Sequence, residues 1–195
     1  DHVTSALSST LRREGGAFWL SVQSFSRIPT PQVSYSPAQM HRAATYLPWV
    51  GLLIGGICAL IYMRLHGSIG ETLAVWGSLV ISLLLTGAYH EDGFADFCDG
   101  MGGGWNREQI LHIMKDSRLG TYGVLGLIAL FVLKGNALLE LPAAWEPWAF
   151  LLMHFHSRWV TLLLQNLSDY VQLTEHSKVQ ALAPQRHSWP RLAVT

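Results

Sequence analysis

Long apolar runs divide the chain. Tyr46 to Met63 carries no charge, and neither does Thr72 to His90. A third run starts at Leu119 and continues through Lys134 to Leu138; a fourth spans Pro147 to Leu167 and holds His154, His156 and Arg158. A helix needs about 20 largely apolar residues to cross a bilayer, so the pattern predicts four spans near 46–63, 72–90, 119–138 and 147–167. Gly51, Gly55 and Gly56 sit at small-residue spacing in the first run, which suits close helix packing in lipid. Tyr and Trp gather at the run ends, among them Tyr46, Trp49, Tyr62, Tyr89, Tyr122 and Trp148, as in interfacial belts. Upstream, Phe18, Val22 and Phe25 share one face of a helix expected to lie in the interface. Pro29, Pro31 and Pro37 stop its continuation.

Composition agrees with this reading. Half of the 195 residues are hydrophobic and 13% are charged, against about 25% charged in a soluble domain. That excludes a disordered chain. Thirteen basic against 13 acidic residues leave no net charge, which argues against a nucleic-acid partner. Cys58 and Cys98 are too few for a disulfide framework. The expected fold is all-α: a polytopic transmembrane helical bundle, read as one membrane-embedded domain over 1–195. The chain opens on Asp1 and ends in Leu192-Ala193-Val194-Thr195, which reads as a C-terminally truncated fragment.

Basic residues orient the spans. Arg12, Arg13, Arg27 and Arg42 precede the first, Arg64 follows it, and Arg107, Lys115 and Arg118 lie between the second and third. Lys134 comes next, then Lys178, Arg186 and Arg191 beyond the fourth. This alternation places the N-terminus and the loop 91–118 in the cytoplasm.

That loop holds the candidate chemistry. Glu91, Asp92, Asp96, Asp99, Glu108 and Asp116 all fall within it. On a helix Asp92, Asp96 and Asp99 form one stripe about 60° wide, with Glu91 about 100° away. Like charges at this spacing repel, so a cation should sit against them. Carboxylates without Cys or His partners suit Mg²⁺, which is commonly held by one or two carboxylates plus substrate phosphates. The competing reading is a solvated acidic face, but Phe94, Ala95, Phe97 and Cys98 interleave the aspartates. Glu91 is a candidate acid/base or a group behind the metal ligands.

Gly102, Gly103 and Gly104 follow, then Asn106 with Gln109 three residues on, a helix start. The helix from Arg107 is expected to turn its apolar residues inward and to end near Lys115. Lys115 and Arg118, a turn apart, could clamp phosphate oxygens or serve as positive-inside anchors. Arg158 could reach a phosphate or extend to the interface. His154 and His156 cannot share a helical face. The residues alone describe a Mg²⁺-dependent membrane enzyme acting on phosphate or pyrophosphate at the cytoplasmic face.

His90-Glu91-Asp92-Gly93-Phe94-Ala95-Asp96-Phe97-Cys98-Asp99-Gly100 and Met114-Lys115-Asp116-Ser117-Arg118-Leu119-Gly120-Thr121-Tyr122-Gly123 together resemble the cobalamin synthase (adenosylcobinamide-GDP ribazoletransferase) family. Ser24 to Pro31 and Ser157-Arg158-Trp159 extend the likeness over residues 17–165. The resemblance implies a multi-pass bacterial inner-membrane transferase of cobalamin biosynthesis. Its substrates would be adenosylcobinamide-GDP and α-ribazole or its 5′-phosphate, its products adenosylcobalamin (or its 5′-phosphate) and GMP. It implies Mg²⁺ on Asp92, Asp96 and Asp99, a base at Glu91 or Asp116, and Lys115 and Arg118 on the leaving phosphate. Partners would be the two substrates and the lipid bilayer; a homo-oligomer is left open. Family members are longer, so further spans are expected after position 195, and the polar stretch from Ser168 to Arg191 is hard to match. A CDP-alcohol phosphotransferase is the nearest rival, but it wants Ala-Arg where Ala95-Asp96 stands. A cation transporter or binding protein should place its carboxylates near the midplane.

Overall fold

The computed structural model describes residues 2–168, with side chains from residue 8 onward. Lys178, Arg186 and Arg191, like the polar stretch after Ser168, lie outside the described residues. Among those described, the chain is all-helical: α1 (His2–Phe25), α2 (Pro37–Ala44), α3 (Leu47–Ile69), α4 (Glu71–Thr86), α5 (Tyr89–Gly103), α6 (Arg107–Ile113), α7 (Thr121–Leu139) and α8 (Glu146–Leu167).

Each apolar run forms a helix, and they differ in character. α3 and α7 are long and apolar enough to cross a membrane. α4 and α5 pass that test only as a pair, bent by 91° where they meet, so among the described residues two helices pass it, or three spans do if the bent pair is one. Four spans were expected from the apolar runs. The second run does not continue straight to His90: Gly87 (φ 66°) and Ala88 (φ 57°) both adopt the left-handed conformation. The N–H groups of Gly87 and Ala88 then both close onto the Leu83 carbonyl. α8 forms over the fourth run but falls short in hydropathy, because His154, His156, Ser157, Arg158, Gln165 and Asn166 dilute it. The outward face of α7 fits lipid better than water: Leu125, Ile128, Val132 and Leu133 are all largely exposed.

The chain divides into two compact units. One comprises Asp1–Gly55 and, among the described residues, 151–168. Here α1 buries Ala17, Leu20, Val22 and Phe25. After the proline-rich break, α2 starts with Pro37 in its first turn and the Ser36 hydroxyl accepting the Gln39 N–H at 3.2 Å. Glu14 ties the two helices together by accepting from Arg42 at 2.7 Å and from the Tyr46 hydroxyl at 2.8 Å. Gly51 lies so close to α8 that an added Cβ would meet the His154 carbonyl oxygen and sit 2.8 Å from Arg158 Cδ.

The other unit, Gly56–Phe150, carries α4 to α7 and the candidate chemistry. α5 and α7 make its most extensive helix contact, with α6 on α5 and α4 on α7. The region expected as a cytoplasmic loop therefore contains two helices, α6 packed on α5 and α5 in turn on α7.

Gly51→Leu places side-chain atoms where α8 already stands, and overpacking of this kind costs about 1–3 kcal/mol. Its melting temperature in detergent should fall, while Gly67→Ala, at a position with nothing within 4 Å of the new Cβ, should hold or raise it.

Candidate active site

The 91° bend sets the site. By redirecting the chain after α4, it starts a new helix at Tyr89 whose first turns carry Glu91 and Asp92. The N–H of Asp92 bonds to the Ala88 carbonyl at 2.8 Å. Acidic groups are favourable at this end, where unpaired N–H groups and the helix dipole leave positive charge. The three aspartates expected on one stripe do lie on one helix. Their environments are graded: Asp92 is exposed, Asp96 half-buried and Asp99 8% exposed.

Asp99 is committed to the fold. One of its oxygens accepts the Gly120 N–H and the other the Gly123 N–H, each at 2.8 Å. Gly120 precedes the first residue of α7 and has no capping side chain of its own, so a carboxylate from another helix caps this one. The bonds are charge-assisted, the strong kind, and the dipole at the start of α7 adds to them. Glycine is required at both positions, because a Cβ at either would meet the Asp99 carboxylate. Beyond them, Gly126 lets α7 approach Cys98.

The remaining carboxylates of α5 have no such attachment. Asp92 and Asp96 stand one turn apart. Glu91 is half-buried, and its Oε2 is fully enclosed with no hydrogen-bond partner among the described residues. An enclosed carboxylate oxygen without a donor is costly, which makes Glu91 the one acidic side chain of α5 held in an unsatisfied state. Among the described residues no three His, Cys, Asp or Glu side chains come together at a spacing that would hold a metal ion. Asp92 and Asp96 can still offer one or two oxygens to Mg²⁺, which takes its other ligands from phosphate and water. The donor set fits a metal that arrives with a phosphate substrate better than one caged by protein alone.

α6 begins as its sequence indicates. Asn106 Oδ1 accepts the Gln109 N–H at 3.0 Å, and Gln109 Oε1 accepts the Trp105 N–H at 3.0 Å. It stops at Ile113, so Lys115 and Arg118 occupy the turn before α7 rather than one helical face. No residue of α6 is fully buried. Arg118 is directed at Asp116: its Nη2 lies 2.6 Å from Oδ2, its Nε 3.0 Å from both oxygens, and its own N–H bonds Oδ1 at 3.1 Å. These hydrogen bonds hold the Asp116 carboxyl well below the usual range, at about 2. Lys115 is exposed.

On α8, Arg158 is 3% exposed and donates through Nη1 to His154 Nδ1 and the His154 carbonyl, each at 3.1 Å, and to Ser157 Oγ at 3.2 Å. His154 is buried and His156 exposed, so the two histidines diverge as their spacing requires. The partners that sequence reasoning missed are backbone groups, the N–H donors of Gly120 and Gly123. The three-residue recurrence of Gly120, Gly123 and Gly126 was their one available signal. Glu146, fully buried next to Tyr62 and Glu71, was also unforeseen.

A family model described as cobalamin-5-phosphate synthase matches residues 17–195. Curated relatives named adenosylcobinamide-GDP ribazoletransferase include one from Vibrio cholerae, 44% identical over 92% of this chain and 69% of the relative. Another, from Leptothrix cholodnii, is 40% identical over 91% of this chain and 69% of its own length. A third, from Leptospira biflexa, is 33% identical over 90% and 70%. No solved structure matches the chain.

Two predictions follow from this geometry. Asp99→Asn removes the charge and leaves one good acceptor for two donors, so stability in detergent should drop by about 1.5–3 kcal/mol, whereas Asp92→Asn should leave the melting temperature unchanged. Asp116 has a lowered pKa, so its pairing with Arg118 is fully present above about 4 and disappears as the pH falls through about 2. A carboxyl ¹³C titration should find Asp116 ionised at pH 3, and Arg118→Ala should return it to the ordinary aspartate range.

Proposed function

The chain belongs to the cobalamin-5-phosphate synthase family and is a transferase of cobalamin biosynthesis, and from that premise we propose that α5 and the turn after α6 carry out the ribazole transfer. The observation that carries this reading is the division of labour along α5: Asp99 is fixed to the backbone of α7 while Asp92 and Asp96 stand one turn apart at the more open end of the helix.

In this reading the substrates are adenosylcobinamide-GDP and α-ribazole or its 5′-phosphate. The ribazole 3′-hydroxyl oxygen attacks the phosphorus that bears the cobinamide aminopropanol arm. The bond from that phosphorus to the bridging oxygen breaks, and GMP departs with the bridging oxygen. Asp92 and Asp96 would hold Mg²⁺ against the diphosphate. The metal supplies charge neutralisation on the phosphate oxygens and on the leaving GMP. Most of the remaining catalysis is positioning, as in other phosphoryl transfers.

The hydroxyl proton needs an acceptor. Of the two candidates, Asp116 is the weaker base, since a carboxylate with a pKa of about 2 holds a proton poorly at neutral pH. Glu91, with its enclosed and unpartnered oxygen, takes the base role in this proposal. Asp116 orients the guanidinium of Arg118, whose side chain is 86% exposed and so accessible to an arriving phosphate. Lys115 adds charge from the same turn. The enzyme sits in the bacterial inner membrane with α5 and α6 on the cytoplasmic side, as the alternation of Arg and Lys supports.

The test is GMP release from adenosylcobinamide-GDP by the intact protein in lipid. Release should require both α-ribazole and Mg²⁺. Asp92→Asn and Asp96→Asn should each lower kcat at least about a hundredfold with unchanged melting temperature. Full activity in the doubly substituted protein would remove these residues from the reaction.

A further inference from the structure

One turn beyond Asp99, α5 ends at Gly103 beside an open cavity of about 440 Å³ lined by Gly103, Trp105, Glu108, Gln109, His112 and Ile113. Resting on the transferase reading above, we propose that this cavity binds the guanine base of the nucleoside diphosphate substrate, with Trp105 as the stacking surface and Glu108 as the group that selects guanine.

Trp105 is 95% exposed, an unusual state for a side chain that is highly buried on average. Its backbone is nevertheless fixed, because its N–H donates to Gln109 Oε1 while the Gln109 N–H is held by Asn106. A broad aromatic face on an anchored backbone is what a planar base needs for stacking. Glu108 opens on the same cavity and is exposed.

The chemistry of the rim chooses among the bases. Guanine presents two neighbouring donors, N1–H and the exocyclic amino group, which match the two oxygens of one carboxylate. Adenine presents an unprotonated ring nitrogen at that edge and would set a lone pair against Glu108. The benzimidazole of the ribazole substrate has no N–H to offer. Placement agrees with guanine. From Asp96 to Gly103 the helix rises on the order of 10 Å, the reach of one nucleoside monophosphate from phosphate to base.

The experiment uses the full chain in phosphatidylethanolamine–phosphatidylglycerol nanodiscs. Binding of GMP, IMP and AMP is measured by equilibrium dialysis, alongside turnover of adenosylcobinamide-GDP. GMP should bind at least tenfold tighter than AMP, with IMP, which lacks the amino group, between them. Glu108→Gln should erase most of that preference and raise KM with little change in kcat. Trp105→Ala should weaken all three nucleotides, and Trp105→Phe should restore binding. Equal affinities for GMP and AMP in the unaltered protein overturn the proposal, even if the variants fail to fold. Quenching of Trp105 by brominated lipid, undiminished by GMP, overturns it too and makes this residue a membrane anchor. Turnover with no base preference would sink the pocket and leave the transferase standing; guanine-selective binding without turnover would do the reverse.

Discussion

The carboxylate of Asp99, accepting the backbone N–H groups of Gly120 and Gly123, is the contact on which the α5–α7 arrangement depends. It satisfies two groups that a helix start leaves open, and it does so with a charge placed where the helix dipole favours one. Because the donors are backbone atoms, the interaction fixes the position of α7 itself and not merely a side chain. The glycines that allow this approach also remove the bulk that would hold the two helices apart. α5, a short helix rich in charge and glycine, thereby acquires a rigid support that its own composition could not supply.

That support explains how one stripe of like charges is tolerated. Asp99 is neutralised by fixed dipoles at the buried end, which leaves the repulsion between Asp92 and Asp96 at the open end to be relieved by water or a cation. Charge is thus withdrawn from solvent progressively along α5. Chemistry on a diphosphate would benefit from this arrangement, since Asp92 and Asp96 remain accessible on a helix that Asp99 ties to α7. The Asp116–Arg118 pair, outside the helix, keeps a guanidinium near by without burying it.

The helical character of the chain was readable because apolar runs of membrane length have few alternatives in lipid. The start of α6 was readable too, since the capping exchange is local and uses only residues 105–109. The bend between α4 and α5 was half readable. Gly87 is the residue expected at a helix C-terminus, but nothing about an alanine announces φ 57° at Ala88. The stripe of aspartates was legible from helical spacing, whereas the difference between Asp99 and its neighbours was not, because burial there is created by a helix that begins 22 residues later. The end of α6 was nearly readable: it stops at Ile113, two residues before the expected Lys115, and leaves Lys115 and Arg118 in the turn before α7.

The order of synthesis gives the Asp99 contact a further meaning. The acceptor leaves the ribosome well before its donors, so for a time the acidic helix carries an uncompensated carboxylate beside a membrane. It cannot settle against lipid in that state, because a bare charge is poorly tolerated there. Only when the glycine turn and the start of α7 have been made does the charge find its dipoles. A chain halted before Gly120 would hold the acidic helix without its anchor.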